Sequence, residues 1–261
     1  MTETEGEAIA KIPQNELNNI RHVIAVMSGK GGVGKSSVAA LLAVDASRRG
    51  YAVGVMDADV TGPSIPKMFG LSRKAEASSL GLMAPRTDSG IRVMSLNLLL
   101  EREDDPVIWR GPLIASAVRQ FWTDVVWGDL DYLIVDLPPG TGDAPLTVMQ
   151  SLPVRGVVIV SSPQDLAGMV VRKAVKMVQH MDVPLLGVVE NMSFVECPKC
   201  GEKIYPFGRP SGEELAAVAG AKYLGSLPFD PEFARTCDEG LVEKYRGKMT
   251  IDFAGVVSDV Q

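Results

Sequence analysis

The chain has 261 residues, of which 46% are hydrophobic and 22% are charged, a composition that supports a packed core and excludes wholesale disorder. Its formal net charge of −6 comes from 26 basic and 32 acidic residues and argues against sequence-independent nucleic-acid binding, which needs clustered lysine and arginine. No apolar run reaches the ~20 residues of a membrane helix, and the acidic first residues are unlike a signal or transit peptide. We therefore expect a cytoplasmic protein that binds neither a membrane nor nucleic acid.

Residues 1–20 are polar, and we expect them to form a flexible N-terminal segment. After them, short and continuously apolar stretches alternate with helical stretches. Such apolar stretches are typical of strands buried on both faces of a parallel sheet. The predicted strands are residues 23–27, 52–56, 91–95, 132–135, 156–161, 185–190 and 223–227. The predicted helices are residues 36–49, 113–125, 166–180 and 212–219.

This alternation predicts an α/β fold, namely a doubly wound, mainly parallel sheet with helices on both faces. A ligand is expected at the carboxyl ends of the strands. Residues 61–89 are rich in glycine, proline and serine, and we expect a loop with a short helix there. We place one domain at residues 21–245 and a C-terminal tail at residues 246–261.

A glycine-rich loop follows the first predicted strand, and residues 29–36 fit the pattern G-x-x-x-x-G-K-S. The glycines let successive backbone N–H groups turn inward around phosphates, and the following helix adds the positive end of its dipole. Lys35 is expected to reach the β- and γ-phosphates, and Ser36 to ligate magnesium. The loop therefore predicts nucleotide binding through Gly29, Lys30, Gly31, Gly32, Val33, Gly34, Lys35, Ser36 and Ser37.

Lys30 is a second lysine, which an ordinary P-loop does not need. Its position resembles the deviant Walker A motif of the MinD/ParA/nitrogenase-iron-protein class, in which this lysine reaches across a dimer interface to the partner's nucleotide. A solvated loop lysine is the alternative, since lone charged side chains are mostly exposed. The two interpretations differ in whether the site needs a second subunit.

Carboxylates end two of the predicted strands. Asp57 and Asp59 close the second strand, and Asp136 closes the fourth. By resemblance to the same class, Asp59 orients the attacking water and Asp57 supports the magnesium shell, while Asp136 occupies a Walker B position and meets magnesium through water. An acidic pair that caps a loop is the alternative. Glycines after Asp136 are compatible with a loop that senses the γ-phosphate, or with a tight turn.

Asn191 closes the sixth predicted strand. Similar proteins use an asparagine here to contact the adenine base. A capping asparagine fits the position equally well.

Cys197 and Cys200 form a C-x-x-C pair. Two thiols at this spacing chelate one metal centre, but a closed zinc or iron–sulfur site normally has four ligands. A two-fold dimer supplies four thiolates if each subunit places its pair on the symmetry axis. A redox pair, a zinc clip and two inert cysteines remain open. The lone Cys237 fits a small buried hydrophobe or an auxiliary thiol.

Taken together, these segments resemble the Mrp/ApbC family of iron–sulfur cluster carrier ATPases. The feature that distinguishes this family is C-P-x-C placed just after E-N-M-S, which this chain has at residues 190–200. The resemblance covers about residues 20–245 and implies a homodimer that binds ATP and Mg²⁺. It also implies a labile [4Fe–4S] cluster, held between the subunits by Cys197 and Cys200 and transferred to apo-proteins.

The resemblance further implies slow ATP hydrolysis that depends on Lys30, Lys35 and Asp59. Two alternative functions share the P-loop but do not transfer an iron–sulfur cluster. One is a MinD/ParA-like positioning ATPase, which needs a membrane-targeting helix or a basic DNA-binding face. The other is a reductase similar to the nitrogenase iron protein, whose bridging cysteines are single and widely separated.

Overall fold

The computed structural model describes residues 13–59, 62–72, 74–99, 111–163, 166–247, 251 and 253–258. Within them, twelve strands are formed: β1 (Asn19–Ser28), β2 (Val53–Asp57), β3 (Glu76–Ser78), β4 (Gly81–Met83), β5 (Arg92–Ser95), β6 (Val125–Val126), β7 (Asp129–Asp136), β8 (Gly156–Ser161), β9 (Leu185–Glu190), β10 (Val195–Glu196), β11 (Lys203–Ile204) and β12 (Tyr223–Ser226). The helices are α1 (Lys35–Arg48), α2 (Ile65–Met68), α3 (Gly111–Thr123), α4 (Asp143–Ser151), α5 (Leu166–His180), α6 (Gly212–Ala219), α7 (Pro231–Asp238) and α8 (Phe253–Ser258), with short 3-10 turns at Leu96–Leu98 and Val242–Lys244.

Seven of these strands form one parallel sheet in the order β12-β9-β8-β1-β7-β2-β5. From the central β1 the chain builds outward to β2 and β5. It then returns to insert β7 and continues through β8 on the other side. The carboxyl ends of β1, β2 and β7 thus lie side by side at one edge of the sheet, where doubly wound folds bind ligands.

Alternating side chains of β1 serve two separate cores. Val23, Ala25 and Met27 pack with helices α3, α4, α5 and α6, whereas Ile24 and Val26 pack with α1, α2 and α8 on the opposite face. Successive side chains of a strand point to opposite faces, so an unbroken apolar run is what a sheet covered on both sides needs. The predicted doubly wound fold is therefore confirmed.

All seven predicted strands of the central sheet are present, and so are the four predicted helices, with shifts of a few residues at their ends. Strand β1 begins at Asn19, inside the segment expected to be flexible. The stretch at residues 61–89 holds the expected short helix, α2, and also the β3–β4 hairpin, which the sequence did not predict.

Part of the predicted C-terminal tail, residues 246–261, is packed into the core. Ile251, Val256 and Val257 are buried in the core against α1. The boundaries at residues 20 and 245 remain predictions. In the described part of the chain, no helix combines the length and the apolar character of a membrane span.

At the amino-terminal edge of the sheet, Asn18 and Trp127 hold β1 and β7 together. Asn18 donates from Nδ2 to the Val125 carbonyl at 2.8 Å and accepts at Oδ1 from the Trp127 backbone N–H at 2.7 Å. The Trp127 indole is fully buried and donates to the Phe121 carbonyl at 2.8 Å. The indole packs closely over Gly54 of β2, which has no side chain. A Cβ at Gly54 would lie only 3.1 Å from the indole.

We predict that Trp127→Ala lowers the free energy of unfolding by roughly 3–5 kcal/mol, the usual cost of a large cavity in a core. Urea unfolding followed by circular dichroism measures this loss. As a control, Leu80→Ala in the β3–β4 hairpin, where Leu80 is 61% exposed, should change the midpoint little. Equal losses in the two variants would contradict the assignment of Trp127 to the core.

Candidate functional site

The glycine-rich loop connects Ser28, the last residue of β1, to Lys35, the first residue of α1. Gly32 and Gly34 have φ angles of +79° and +77°, a left-handed conformation that glycine adopts without a steric cost. Ser28 braces the loop from inside by donating from Oγ to the Lys30 carbonyl at 2.9 Å. The loop thus has the backbone geometry that turns N–H groups toward a phosphate.

A cleft of about 380 Å³ opens beside this loop. Of the residues predicted to bind nucleotide or to act on it, the cleft is lined by Gly31, Gly32, Gly34, Lys35, Ser36, Ser37 and Asp59. Ser28, Gly62, Ser64, Met68 and Pro139 complete the lining. These five were not predicted as site residues, although they lie in or beside the three segments that supplied the predicted ones.

Lys35 is the charged centre of the cleft, and its side chain is only 5% exposed. Its Nζ lies 2.6 Å from Oδ1 of Asp136 and 3.5 Å from Oδ2 of Asp59. The neighbouring Ser36 donates from Oγ to the other Asp136 oxygen at 2.5 Å. The structure therefore brings the predicted Walker A and Walker B residues into direct contact.

Asp57 lies beneath this group, fully buried, and is the register partner of Asp136 on β7. Its Oδ2 accepts from the Ser95 hydroxyl at 3.2 Å and from the Ile65 backbone N–H at 3.3 Å. Burial, with the nearby Asp136 carboxylate as a second cause, raises the pKa of Asp57 well above its ordinary value. Burial also raises the pKa of Asp136, and Lys35 opposes that rise.

This donor set fits a nucleotide with its magnesium ion. A buried ammonium and inward N–H groups suit phosphate oxygens, and a hydroxyl beside carboxylates suits a hard divalent cation. Buried carboxylates outnumber the one lysine here, and a cation at this edge would relieve their repulsion. The proximity of Lys35, Ser36, Asp57, Asp59 and Asp136 is observed; their individual roles remain predictions.

Asn191, the predicted adenine contact, faces the P-loop. It is 7% exposed and donates from Nδ2 to the Val33 carbonyl at 2.9 Å. Its own backbone N–H donates to the Ser161 carbonyl at 2.8 Å, which holds it to β8. Contact with adenine stays a prediction, and the observed role of the amide is to hold the loop.

Glu190 was missed by the sequence analysis, although it is fully buried at the end of β9. Its carboxylate accepts from the Ser193 hydroxyl at 2.6 Å and from the Ser211 backbone N–H at 2.8 Å. These two residues flank the excursion that carries the cysteines. An acidic residue that ends an apolar strand, three residues before a serine, was the available clue.

The two cysteines lie on the turn between β10 and β11, which pair antiparallel. The Gly201 N–H donates to the Cys197 carbonyl at 2.9 Å, and Gly201 has a φ of +75°. The backbone N–H groups of Cys200 and Lys199 and the Cys200 thiol lower the pKa of Cys197. The turn thus favours the thiolate, the form of cysteine that binds metal.

The surface around this turn includes several exposed apolar residues among charged ones such as Lys199 and Glu202. A second cleft, of about 540 Å³, is lined by Cys197, Pro198, Pro228, Phe229 and others. Ile204, Tyr205 and Phe207 are also exposed on and just after β11. Within the described residues, no three or more His, Cys, Asp or Glu side chains gather where they would hold a metal ion.

Cys237 lies elsewhere, on α7 next to α2, where it is partly buried against the core. Burial raises its pKa to about 11. Both observations agree with a small buried hydrophobe.

Comparison with known proteins gives a consistent result. Residues 19–260 match the ParA family profile described as "NUBPL iron-transfer P-loop NTPase". The chain is 46% identical over 244 residues to the iron–sulfur cluster carrier protein of Clostridium perfringens, a match that covers 90% of this chain and 85% of the relative.

Two solved structures extend the comparison. A nucleotide-binding protein from Archaeoglobus fulgidus in complex with ADP is 48% identical, with a TM-score of 0.79 over 87% of this chain and 90% of that chain. The cell division ATPase MinD of Pyrococcus furiosus is 20% identical, with a TM-score of 0.60 over 92% of this chain and 98% of that chain. The second likeness shows a shared fold.

We predict that Lys35→Met weakens ADP binding by at least about tenfold, because hydrogen bonds to charged groups are among the strongest in proteins. Isothermal titration calorimetry measures the dissociation constant. The matched control is Lys67→Met on α2, since Lys67 is 71% exposed and lies next to the cleft residue Met68. A similar loss in both variants would show that net charge, not the Lys35 contact, determines affinity.

We also predict that iodoacetamide alkylates Cys197 faster than Cys237. The pKa of Cys197 is lowered below 9.0, and that of Cys237 is raised to about 11. The thiolate fractions of the two residues near neutral pH therefore differ by more than about 100-fold. A thiolate of higher pKa is the better nucleophile, so the expected rate ratio is smaller, at least about tenfold. Peptide mass spectrometry gives both rates. The ratio should collapse in denaturant, and a faster Cys237 in the folded protein would refute the assignment.

Proposed function

Since the chain belongs to the NUBPL iron-transfer P-loop NTPase family, we propose that it is an ATP-dependent carrier that holds an iron–sulfur cluster as cargo and transfers it to apo-proteins. The observation that carries this proposal is that the residues following β9 contact the phosphate-binding loop and lead directly into the two-thiol turn. Neither alternative function uses the thiol turn.

The nucleotide is ATP with Mg²⁺, as the cleft between β1, β2 and β7 supports. The P-loop amides and Lys35 bind the phosphates, and Ser36 with Asp136 and Asp57 holds the hydrated cation. Asp59 lies at the cleft wall within reach of Lys35 and orients the water that attacks the γ-phosphate. Hydrolysis is slow and serves as a switch between two states of the protein.

The cargo is a [4Fe–4S] cluster shared by two copies of the chain. Cys197 and Cys200 supply two of the four thiolates that such a cluster takes, and a two-fold axis at the turn supplies the other two. The exposed Ile204, Tyr205 and Phe207 support this pairing, because a dimer would cover them. The same face-to-face arrangement places Lys30 near the partner's nucleotide, as in the deviant Walker A class.

We predict that anaerobic reconstitution of the purified protein yields about four iron and four sulfide per two chains, with visible absorption from thiolate-bound iron. The Cys197→Ala/Cys200→Ala double variant should lose both the iron and the absorption, because no thiolate remains at the turn. Cys237→Ala is the matched control and should retain the cluster. Undiminished iron in the double variant, or zinc in its place in the wild type, would refute the carrier.

A further inference from the structure

The nucleotide cleft and the cysteine turn are far apart in the sequence, yet a single short segment contacts both. Strand β9 ends at Glu190, and Asn191 and Met192 follow it directly. Cys197 comes five residues after Met192, just beyond β10. Because this segment is hydrogen-bonded to the P-loop and continues directly into the cysteine hairpin, it offers a short path from the P-loop to the cysteines.

Two successive side chains of the segment face the same P-loop residue. A Cβ at Gly34 would lie 2.1 Å from Nδ2 of Asn191 and 3.6 Å from Cε of Met192. The Asn191 amide also donates to the Val33 carbonyl at 2.9 Å. Met192 has a φ of +57°, a conformation uncommon outside glycine. That left-handed residue turns the chain out of β9 toward the cysteines while its side chain stays near the loop.

Beyond Met192, hydrogen bonds of Ser193 and Phe194 fix the segment to the rest of the protein. Glu190 accepts from Ser193 at one end of the excursion and from the Ser211 N–H at the other. The Ser193 N–H donates to the Leu227 carbonyl at 2.9 Å, and the Phe229 N–H donates to the Phe194 carbonyl at 2.7 Å.

Phe229 in turn lines the same cleft as Cys197. The contacts are therefore continuous from Val33 to the wall of the cysteine cleft. The links are hydrogen bonds and short stretches of chain between packed elements, which is the kind of connection that carries a displacement.

We propose that Asn191 is a positioning residue that couples the state of the P-loop to the reactivity of the Cys197–Cys200 turn. When phosphates occupy the loop, its N–H groups turn toward them, and the Val33 carbonyl moves with the same peptide chain. The Asn191 amide follows that carbonyl, and the turn at Met192 passes the shift to Ser193 and the hairpin.

This coupling rests on the proposed carrier function. It names the residue through which the nucleotide would control binding of the cluster. Coupling between two binding sites is reciprocal. A cluster on the thiols would therefore alter nucleotide affinity by the same factor as nucleotide alters cluster affinity.

The test uses the full chain, reduced and free of cluster. Iodoacetamide alkylation of Cys197 and Cys200 is measured with and without saturating Mg²⁺–tripolyphosphate, with Cys237 as the internal reference. Tripolyphosphate fills a phosphate site but has no base, so a predicted adenine contact of Asn191 does not enter the result. We expect tripolyphosphate to change the alkylation rate of the wild-type turn by about fivefold or more, a usual size for coupling.

The decisive variant is Asn191→Asp, which keeps the shape of the side chain but replaces the Nδ2 donor with a carboxylate oxygen. The ionised carboxylate has no hydrogen to donate to the Val33 carbonyl, and the effect of tripolyphosphate should shrink to less than about twofold. If Asn191 had a merely structural role, the substitution would change the alkylation rates with and without tripolyphosphate by the same factor. The ratio of these two rates would then stay as in the wild type. Occupancy of each variant is confirmed by titration before the rates are compared.

Asn18→Asp is the matched control. Asn18 is 8% exposed, and it also donates from Nδ2 to a backbone carbonyl, that of Val125. It precedes β1, whereas the P-loop follows that strand, so the same chemical change falls at the opposite edge of the sheet. This variant should keep the wild-type ratio.

Three results would each overturn the proposal. Tripolyphosphate could leave the alkylation rate of the wild-type turn unchanged, or it could change that rate as much in Asn191→Asp as in the wild type. Its effect could also shrink in Asn18→Asp as much as in Asn191→Asp. If Asn191→Asp does not fold, hydrogen exchange on the wild-type protein decides, because tripolyphosphate should then alter protection of residues 191–201. Unchanged protection there would refute the coupling. Failure of cluster reconstitution would refute the carrier but leave this thiol ratio as it stands.

Discussion

The ion pair between Lys35 and Asp136 is the interaction on which the rest of the site depends. It joins the first residue of α1 to the last residue of β7 at 2.6 Å, with both side chains buried. Removing one partner from such a pair leaves an uncompensated buried charge, which costs far more than an exposed ion pair contributes. The ion pair therefore holds the start of α1 against the end of β7.

The same edge brings three carboxyl groups, those of Asp57, Asp59 and Asp136, close to Lys35. Asp57 and Asp136 are neighbours in register and fully buried, and burial raises the pKa of both. Lys35 alone does not offset them. A site of this kind is built for a partner that brings positive charge of its own, as a magnesium-bound nucleotide does, and the fold supplies its backbone N–H groups for the phosphates.

The cysteine turn is arranged differently, because it lies on a small hairpin outside the main sheet. The neighbouring residues Glu190 and Asn191 hold the base of this hairpin, and backbone hydrogen bonds of Ser193 and Phe194 add to that hold. The hairpin itself is exposed and apolar at Ile204 and Tyr205.

The sequence by itself determined the fold class, the seven strands of the sheet and the P-loop, because unbroken apolar runs and a glycine-rich loop before a helix are local patterns. It also pointed to Lys35, Asp57, Asp59 and Asp136 as candidates. Lys35 begins α1, Asp57 and Asp136 end strands, and Asp59 follows β2 by two residues. The tertiary structure alone decided that the Asn191 donor holds the Val33 carbonyl and that Glu190 joins both ends of the cysteine excursion. Those bonds link residues up to 158 positions apart, and no local pattern encodes which distant carbonyl a buried amide will meet.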